Sequence, residues 1–300
     1  MEKLSDTNAA LACETQEAIK KHGQLWDISR RFVKRRIALA ALIILVLMVA
    51  LCLGASIFAP YDFAEQHLAN RLQMPSRQHL MGTDNFGRDI FSRILYGGRN
   101  SLLISLFSCF FTAIIGGLIG AISGYYGGKI DNIIMRLTDI FMAIPGILLC
   151  VVISAALGTG PWQTCIAVSI GGIPGCIRLL RATVLPMRQQ EFIEAAVAYG
   201  SSDKRIILTH IIPNCLAPII VDTTLRLGMN ILMISGLSFI GLGVQAPYAE
   251  WGAMLNAGRE YIRDFWPLIT FPGIAIVIAM LGFNLFGDGL RDALDPKLKQ

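Results

Sequence analysis

The sequence predicts an all-α membrane protein of six transmembrane helices with both ends in the cytoplasm. Three observations predict it. Of 300 residues, 54% are hydrophobic and only 16% are charged, against about 25% charged in soluble domains. The apolar residues gather in charge-poor runs of roughly 20 residues, the length a helix needs to cross a bilayer. Lysine and arginine are also divided unevenly between the intervening segments. With the N-terminus inside, inner segments carry 18 and outer segments 7, Arg226 lying within a span. Cytoplasmic segments keep the excess of positive charge. The net charge of +5 is therefore an orientation signal and not a nucleic-acid footprint.

Residues 1–36 form a polar cytoplasmic tail that ends in the basic run from Arg30 to Arg36. Leu25, Ile28 and Phe32 can form one apolar stripe on a short basic helix at the membrane surface. Residues 37–300 form the transmembrane domain. The first span, 37–58, has no charge. Its apolar run and its leader are both longer than a cleaved signal peptide has, so it is expected to stay in the mature protein.

An outer loop over 59–100 ends in GTDNFGRDIFSRILYGGRNSL. Ile90, Phe91, Ile94 and Leu95 share one helical face, and Asp89 and Arg93 another. This reads as a short interfacial helix, either an elbow into the next span or a docking surface. The second span, 101–123, carries Gly116, Gly120 and Gly124 at four-residue spacing, a smooth side for close helix approach. Gly127-Gly128-Lys129 is not a phosphate loop, because Ser123 stands where the first glycine belongs and Ile130 where Ser or Thr is needed.

The third span, 140–158, contains Pro145. The fourth, 163–177, is short and interrupted by Gly171, Gly172, Pro174 and Gly175, as a moving pathway or simple small-residue packing would require. The fifth, 215–239, carries Asp222 and Arg226 one helical turn apart. Charges at that depth are costly and are expected to pair. They serve either as an internal salt bridge or as the lining of a transport path. A second outer loop leads to the sixth span, 265–286, and a charged tail from Asp288.

The polar interruption from 178 to 213 is too long for a turn and too patterned for a linker. Glu191, Glu194, Ala195 and Ala198 fall on one helical face. Gly200 can end that helix in the left-handed conformation, and Ser201, Ser202 or Asp203 can cap the next. Pro213 marks re-entry into apolar sequence. The pattern predicts helix, tight turn, helix at the cytoplasmic surface, a place to dock something.

Catalytic constellations are missing: there is no HExxH, no GxSxG and no paired carboxylate at depth. Of the seven cysteines only Cys13 lies in a polar tail, and no CxxC occurs. They read as small buried thiols. His22, His67, His79 and His210 have no ligand spacing. The chain is thus expected to be a non-catalytic transport subunit without cofactor or metal.

Glu194-Ala195-Ala196, then Gly200, then Ile212-Pro213 resembles the EAA loop of permease subunits of bacterial ABC importers. His210 and Ile212 depart from the generic pattern, but histidine before the I-x-P-N step is usual in one branch. GTDNFGRDIFSRILYGGRNSL, MRLTDIFMAIPGILL, HIIPN, LSFIGLGVQAPYAEWGAML and FNLFGDGLRDALDPKLK are similar to the dipeptide/oligopeptide/nickel branch, in particular its C-type permease. The resemblance covers about residues 25–300. It implies the type I importer permease fold, a second homologous permease, two ABC ATPase subunits that bind ATP and magnesium, and an extracytoplasmic binding protein. It also implies that Glu194, Ala195, Ala196, Gly200 and Pro213 couple to one ATPase, and Glu191 and Asp203 of the same loop are expected to join them. Ala195 and Ala196 would allow close approach to a socket, and Glu194 would meet a basic residue. Substrates of the branch include dipeptides, longer peptides, glutathione-like thiols and chelated nickel. With no metal site in the chain, peptide is the preferred reading.

Two other classes compete. A secondary transporter needs a buried titratable group, for which Asp222 is the candidate, but pairing with Arg226 would keep it ionised. A membrane enzyme lacks its catalytic groups, and a scaffold has no need of broken spans.

Overall fold

The computed structural model describes Arg30 and residues 32–294. Leu25 and Ile28 of the expected surface helix lie outside these residues. Phe32 is buried against Ala38 and Ala293, its ring edge-on to Phe286 at 5.5 Å.

Nine helices of eight residues or more organise the described chain: α1 (Arg36–Leu53), α2 (Ile90–Tyr126), α3 (Gly128–Met142), α4 (Gly146–Leu157), α5 (Pro161–Met187), α6 (Glu191–Ala198), α7 (Leu216–Phe239), α8 (Trp251–Gly258) and α9 (Pro267–Leu294). Helices α1, α2, α5, α7 and α9 are each long and apolar enough to cross a membrane. The bent pair α3–α4 makes a sixth when taken together as one broken span.

Three expectations change. First, the short interfacial helix and the second span are one rod. Helix α2 runs 37 residues, about 55 Å at 1.5 Å per residue. Gly97 and Gly98 do not interrupt it. They are sites where Glu250 and Trp251, at the start of α8, come against its backbone. Asp89 caps its start, Oδ2 accepting from the Ser92 N–H at 2.8 Å, so Asp89 does not pair with Arg93 along a helix face.

Second, the span expected over 140–158 is broken. Helices α3 and α4 meet at 85°, with Ala143 to Pro145 between them. The residue before a proline is pushed out of the helical region, and Pro145 then starts α4 in extended geometry with ψ 128°.

Third, α5 is not interrupted. It continues for 27 residues through Pro174 and Pro186, and so takes in the first third of the segment assigned to the cytoplasmic loop. Its glycines make room for neighbours. A Cβ on Gly171 would lie 2.7 Å from Cys150 Sγ, and one on Gly175 would lie 3.0 Å from the Arg226 guanidinium.

The α2–α5 seam holds the bundle together. Gly116, Gly120 and Gly124 turn their bare side to α5, where a Cβ would come within 2.7 Å of Cys176 Cβ, Ile177 O and Val184 Cβ respectively. This is small-residue packing, in which backbones approach closely enough for dispersion to hold the helices together. Helix α9 repeats the device against α1, with Gly282 on Leu45 and Gly289 on Ala38.

Two buried clusters lie at opposite ends of α2. One gathers Ile90, Ile94, Ile231, Trp251, Phe265 and Leu268. The other gathers Tyr125, Leu180, Val184, Ile193, Ile206 and Ile211.

The 59–89 segment before α2 is held in place by hydrogen bonds. Asp84 Oδ1 accepts from the N–H groups of Phe86 and Arg88 at 2.8 and 2.9 Å, and Oδ2 from Arg88 Nε at 2.6 Å. His79 Nδ1 lies 3.0 Å from Asp89 Oδ1, both side chains buried.

Candidate functional site

Helix α6 has two unlike sides. Ile193 and Ala196 face inward and are buried among residues from the ends of α2, α5 and α7. Glu191, Glu194, Ala195 and Ala198, placed on one face by their spacing, are all exposed. Phe192, Val197 and Tyr199 add exposed apolar surface, Tyr199 at 90%. Glu191 and Glu194 form no ion pair among the described residues. The outward side thus offers small, aromatic and acidic groups together, all without partners within the described chain. Ala196 departs from the expectation that both alanines face a socket: at 9% exposure it belongs to the chain's own core, and Ala195 alone is available.

The end of α6 closes as the sequence indicates. Gly200 has φ +74°. Its N–H donates to Val197 O at 2.9 Å, and the Ser201 N–H donates to Ala196 O at 3.1 Å. This is the paired closure in which the left-handed residue satisfies the last carbonyls.

Asp203 does not cap the following turn with its side chain. Its Oδ1 accepts from the Tyr125 hydroxyl at 2.8 Å, which ties the loop to the last turn of α2. Sequence reasoning missed Tyr125, since nothing local relates residues 78 positions apart.

From Asp203 the chain winds without a loop into the fifth span. Residues Ile207–Ile211 form a π-helical turn, followed by Pro213, which has no N–H to give. The Asn214 side-chain amide donates to His210 O at 2.7 Å, satisfying a carbonyl that the disturbed ladder would leave open. Cys215 N–H is shared between Ile211 O and Ile212 O at 3.1 and 3.0 Å. The Ile-Pro-Asn step is thus a built-in joint between α6 and α7. Its π turn was not legible as such, although Pro213 marked its place.

Deeper in α7, Arg226 Nε donates to Asp222 Oδ2 at 2.5 Å, with both side chains 26% exposed. The pair forms as expected. Asp222 also borders a groove of about 660 Å³ with Asn214, Arg291 and Leu179. Arg226 instead turns toward Gly172 and Gly175 of α5. The two charges therefore face different surroundings.

Two arginines of α5 hold α3. Arg181 grips Asp131 through Nε and Nη2 at 2.5 and 2.7 Å, Ser123 Oγ donates to the same carboxylate at 2.5 Å, and Arg178 pairs with Asp139 at 2.7 Å. A bidentate guanidinium–carboxylate pair fixes direction as well as distance. The ends of α2, α3, α5 and α7 near the α6 loop therefore form one connected unit.

Known proteins similar to this chain are membrane-transport components. Residues 116–300 match the family described as binding-protein-dependent transport system inner membrane component. Residues 23–75 match the N-terminal transmembrane domain of oligopeptide transport permease C. A dipeptide transport system permease protein, DppC, of Alkalihalophilus pseudofirmus is 46% identical over 90% of this chain and 89% of that protein. A glutathione transport system permease protein, GsiD, of Pectobacterium atrosepticum is 44% identical over 90% of each. Among solved structures, the inward-facing MetNI methionine ABC transporter superposes with a TM-score of 0.57 at 20% identity, covering 69% of this chain and 98% of that one, which shows a common fold. The chain therefore belongs to the inner-membrane permease components of binding-protein-dependent ABC transport systems, in the branch to which its motifs pointed, and is a multi-pass inner-membrane protein.

Proposed function

We propose that this chain forms half of the translocation pathway of an ATP-driven importer of di- and oligopeptides, and that the outward side of α6 docks on an ATPase subunit. The observation that carries this is the two-sidedness of α6. One side is buried against the ends of α2, α5 and α7, and the other presents Glu191, Glu194, Ala195, Ala198 and Tyr199 unpartnered. Force applied there passes into the bundle without a slack segment. Peptide as cargo is supported by the dipeptide, glutathione and peptide systems named among the relatives.

In this reading both termini and the 178–213 segment are cytoplasmic. A second homologous permease completes the pathway, two ATPases bind ATP and magnesium below, and an extracytoplasmic binding protein delivers peptide. ATP binding draws the α6 helices of the two permeases together and opens the cavity outward, and hydrolysis reverses this. Glu191 and Glu194 meet basic residues, Ala195 allows close approach, Gly200 sets the angle, and Asp203 and Pro213 carry the displacement onward. Asp222 borders the pathway and is paired with Arg226, so its carboxylate is engaged within the chain, which favours an ATP-driven subunit over an ion-coupled one.

Gly200 tests the coupling. Its φ of +74° lies where a β-branched residue is strained, although the space beside it is open. Gly200→Val is expected to reach the membrane normally, keep ATPase activity in the assembled importer and lose uptake. Normal uptake by that variant would sink the coupling role.

A further inference from the structure

We propose that a cleft at the far end of α2 from the α6 loop receives the free carboxylate of a short peptide, with Arg88 and Arg93 as the receiving groups. The inference rests on the reading of the chain as a peptide permease.

The cleft has a volume of about 470 Å³ and opens between the 59–89 segment and residues 245–257. That volume lies within the range of small-ligand sites. It is separated from α6 by the length of α2, about 55 Å. Arg88 and Arg93 are the charged residues among those lining it. They share one carboxylate: Asp84 Oδ2 is 2.6 Å from Arg88 Nε and 3.6 Å from Arg93 Nε.

Asp84 has nothing more to give, because its Oδ1 already accepts two backbone N–H groups. Arg93 spends Nη1 on Phe63 O at 3.0 Å. Among the described residues, Arg88 makes its side-chain hydrogen bond through Nε. The two Nη groups of Arg88 and Nη2 of Arg93 remain. Two guanidiniums against one carboxylate leave one positive charge, held rigidly by a buried hydrogen-bond network. A planar fork matches a carboxylate in bidentate fashion and is pre-organised to do so.

The remaining walls suit a peptide better than a bare inorganic anion. Phe86 lies beneath the Arg88 guanidinium at 4.7 Å, and Pro247 and Tyr248 add apolar surface for a side chain. Gln66, Gln245 and Asn256 provide neutral amides around it, so the amino end is met by dipoles and not by a fixed charge.

The test uses the assembled importer in lipid nanodiscs, without binding protein or ATP, probed by saturation-transfer NMR with the dipeptide Ala-Phe and its C-terminal amide. The free acid is expected to give signals at least about fivefold stronger than the amide. Arg88→Gln should weaken binding about tenfold, the equivalent of one charge-assisted hydrogen bond. Ala257→Phe fills the cleft while leaving both arginines and Asp84 in place, and should abolish the signals even if Arg88→Gln fails to assemble. Equal signals for acid and amide, or signals that survive Ala257→Phe, would overturn the assignment. So would a result in which both variants weaken docking of the binding protein but leave the dipeptide signals intact, since the carboxylate would then belong to that protein. Uptake of Ala-Phe by the complete importer in proteoliposomes is read separately. Uptake without a cleft signal overturns this inference alone, whereas no uptake of any peptide overturns the functional reading and this inference with it.

Discussion

The Tyr125 hydroxyl donates a 2.8 Å hydrogen bond to Asp203, joining the last turn of the longest helix to the turn that follows α6. Tyr125 is buried and Asp203 is exposed, so the bond is the link between a fixed helix end and a loop at the surface. A single side-chain hydrogen bond contributes about 1 kcal/mol net, too little to fold or unfold a bundle of this size but enough to change how stiffly the loop is held. Tyr125→Phe is therefore expected to leave the amount of subunit in the membrane unchanged and to lower peptide uptake per ATP hydrolysed several-fold, measured in proteoliposomes. Unchanged stoichiometry would show that the loop does not depend on this tie.

The glycine seam makes a contrasting claim about stability. A Cβ at Gly120 would stand 2.7 Å from Ile177 O and 2.8 Å from Leu180 Cβ, whereas one at Gly117 would meet nothing within 4 Å. Gly120→Leu should force α2 and α5 apart and cost on the order of 3 kcal/mol or more, because overpacking displaces backbone here and not a flexible side-chain tip. Gly117→Ala, one position off the seam in an α-helix, should be neutral or stabilising by about 0.5–1 kcal/mol. Thermal unfolding of the purified subunit in detergent checks both, and similar behaviour of the two variants would contradict the seam.

Glu250 is fully buried. Its Oε1 accepts from Ser101 and Ser235 hydroxyls at 3.0 and 3.2 Å, and its Oε2 from the Ala253 N–H at 2.9 Å. It pins α2, α7 and α8 at one point. Glu250→Ala should cost about 2–4 kcal/mol, since it orphans a cap and two buried hydroxyls. Glu250→Gln keeps an acceptor for the Ala253 N–H and lets the serine hydroxyls turn to accept, so its cost should stay below about 1 kcal/mol. Equal melting temperatures for the two variants would show that these bonds do not hold the three helices together.

Much of this was legible in the sequence because it is local. The apolar runs marked the spans, the i, i+3, i+4 pattern marked the exposed side of α6, Gly200 marked its end, and the Asp222–Arg226 spacing marked an ion pair that forms. What could not be read depends on neighbours distant in the chain. The 90–95 helix and the 101–123 span read as separate elements, whereas Gly97 and Gly98 lie inside one helix against Glu250 and Trp251, which come from 153 residues further on. Gly171, Gly172 and Gly175 looked like breaks because Cys150, Thr112 and Arg226, which fill the space beside them, lie on other helices. Ala195 and Ala196 are adjacent and chemically identical. Only the docking of Ile193 and Ile206 into the α2–α5 seam decides which of them faces out.

That last distinction gives the most direct test of the central claim, that the outward side of α6 is where an ATPase docks. Single cysteines at Ala195 and Glu191 on the exposed side, and at Ile193 and Ala196 on the buried side, can be introduced into the assembled importer and treated with a short thiol-directed photo-cross-linker. Cross-links from positions 195 and 191 to an ATPase subunit, with none from 193 and 196, are the predicted result. Cross-links from the buried pair, or none from the exposed pair in a complex that still hydrolyses ATP, would contradict it.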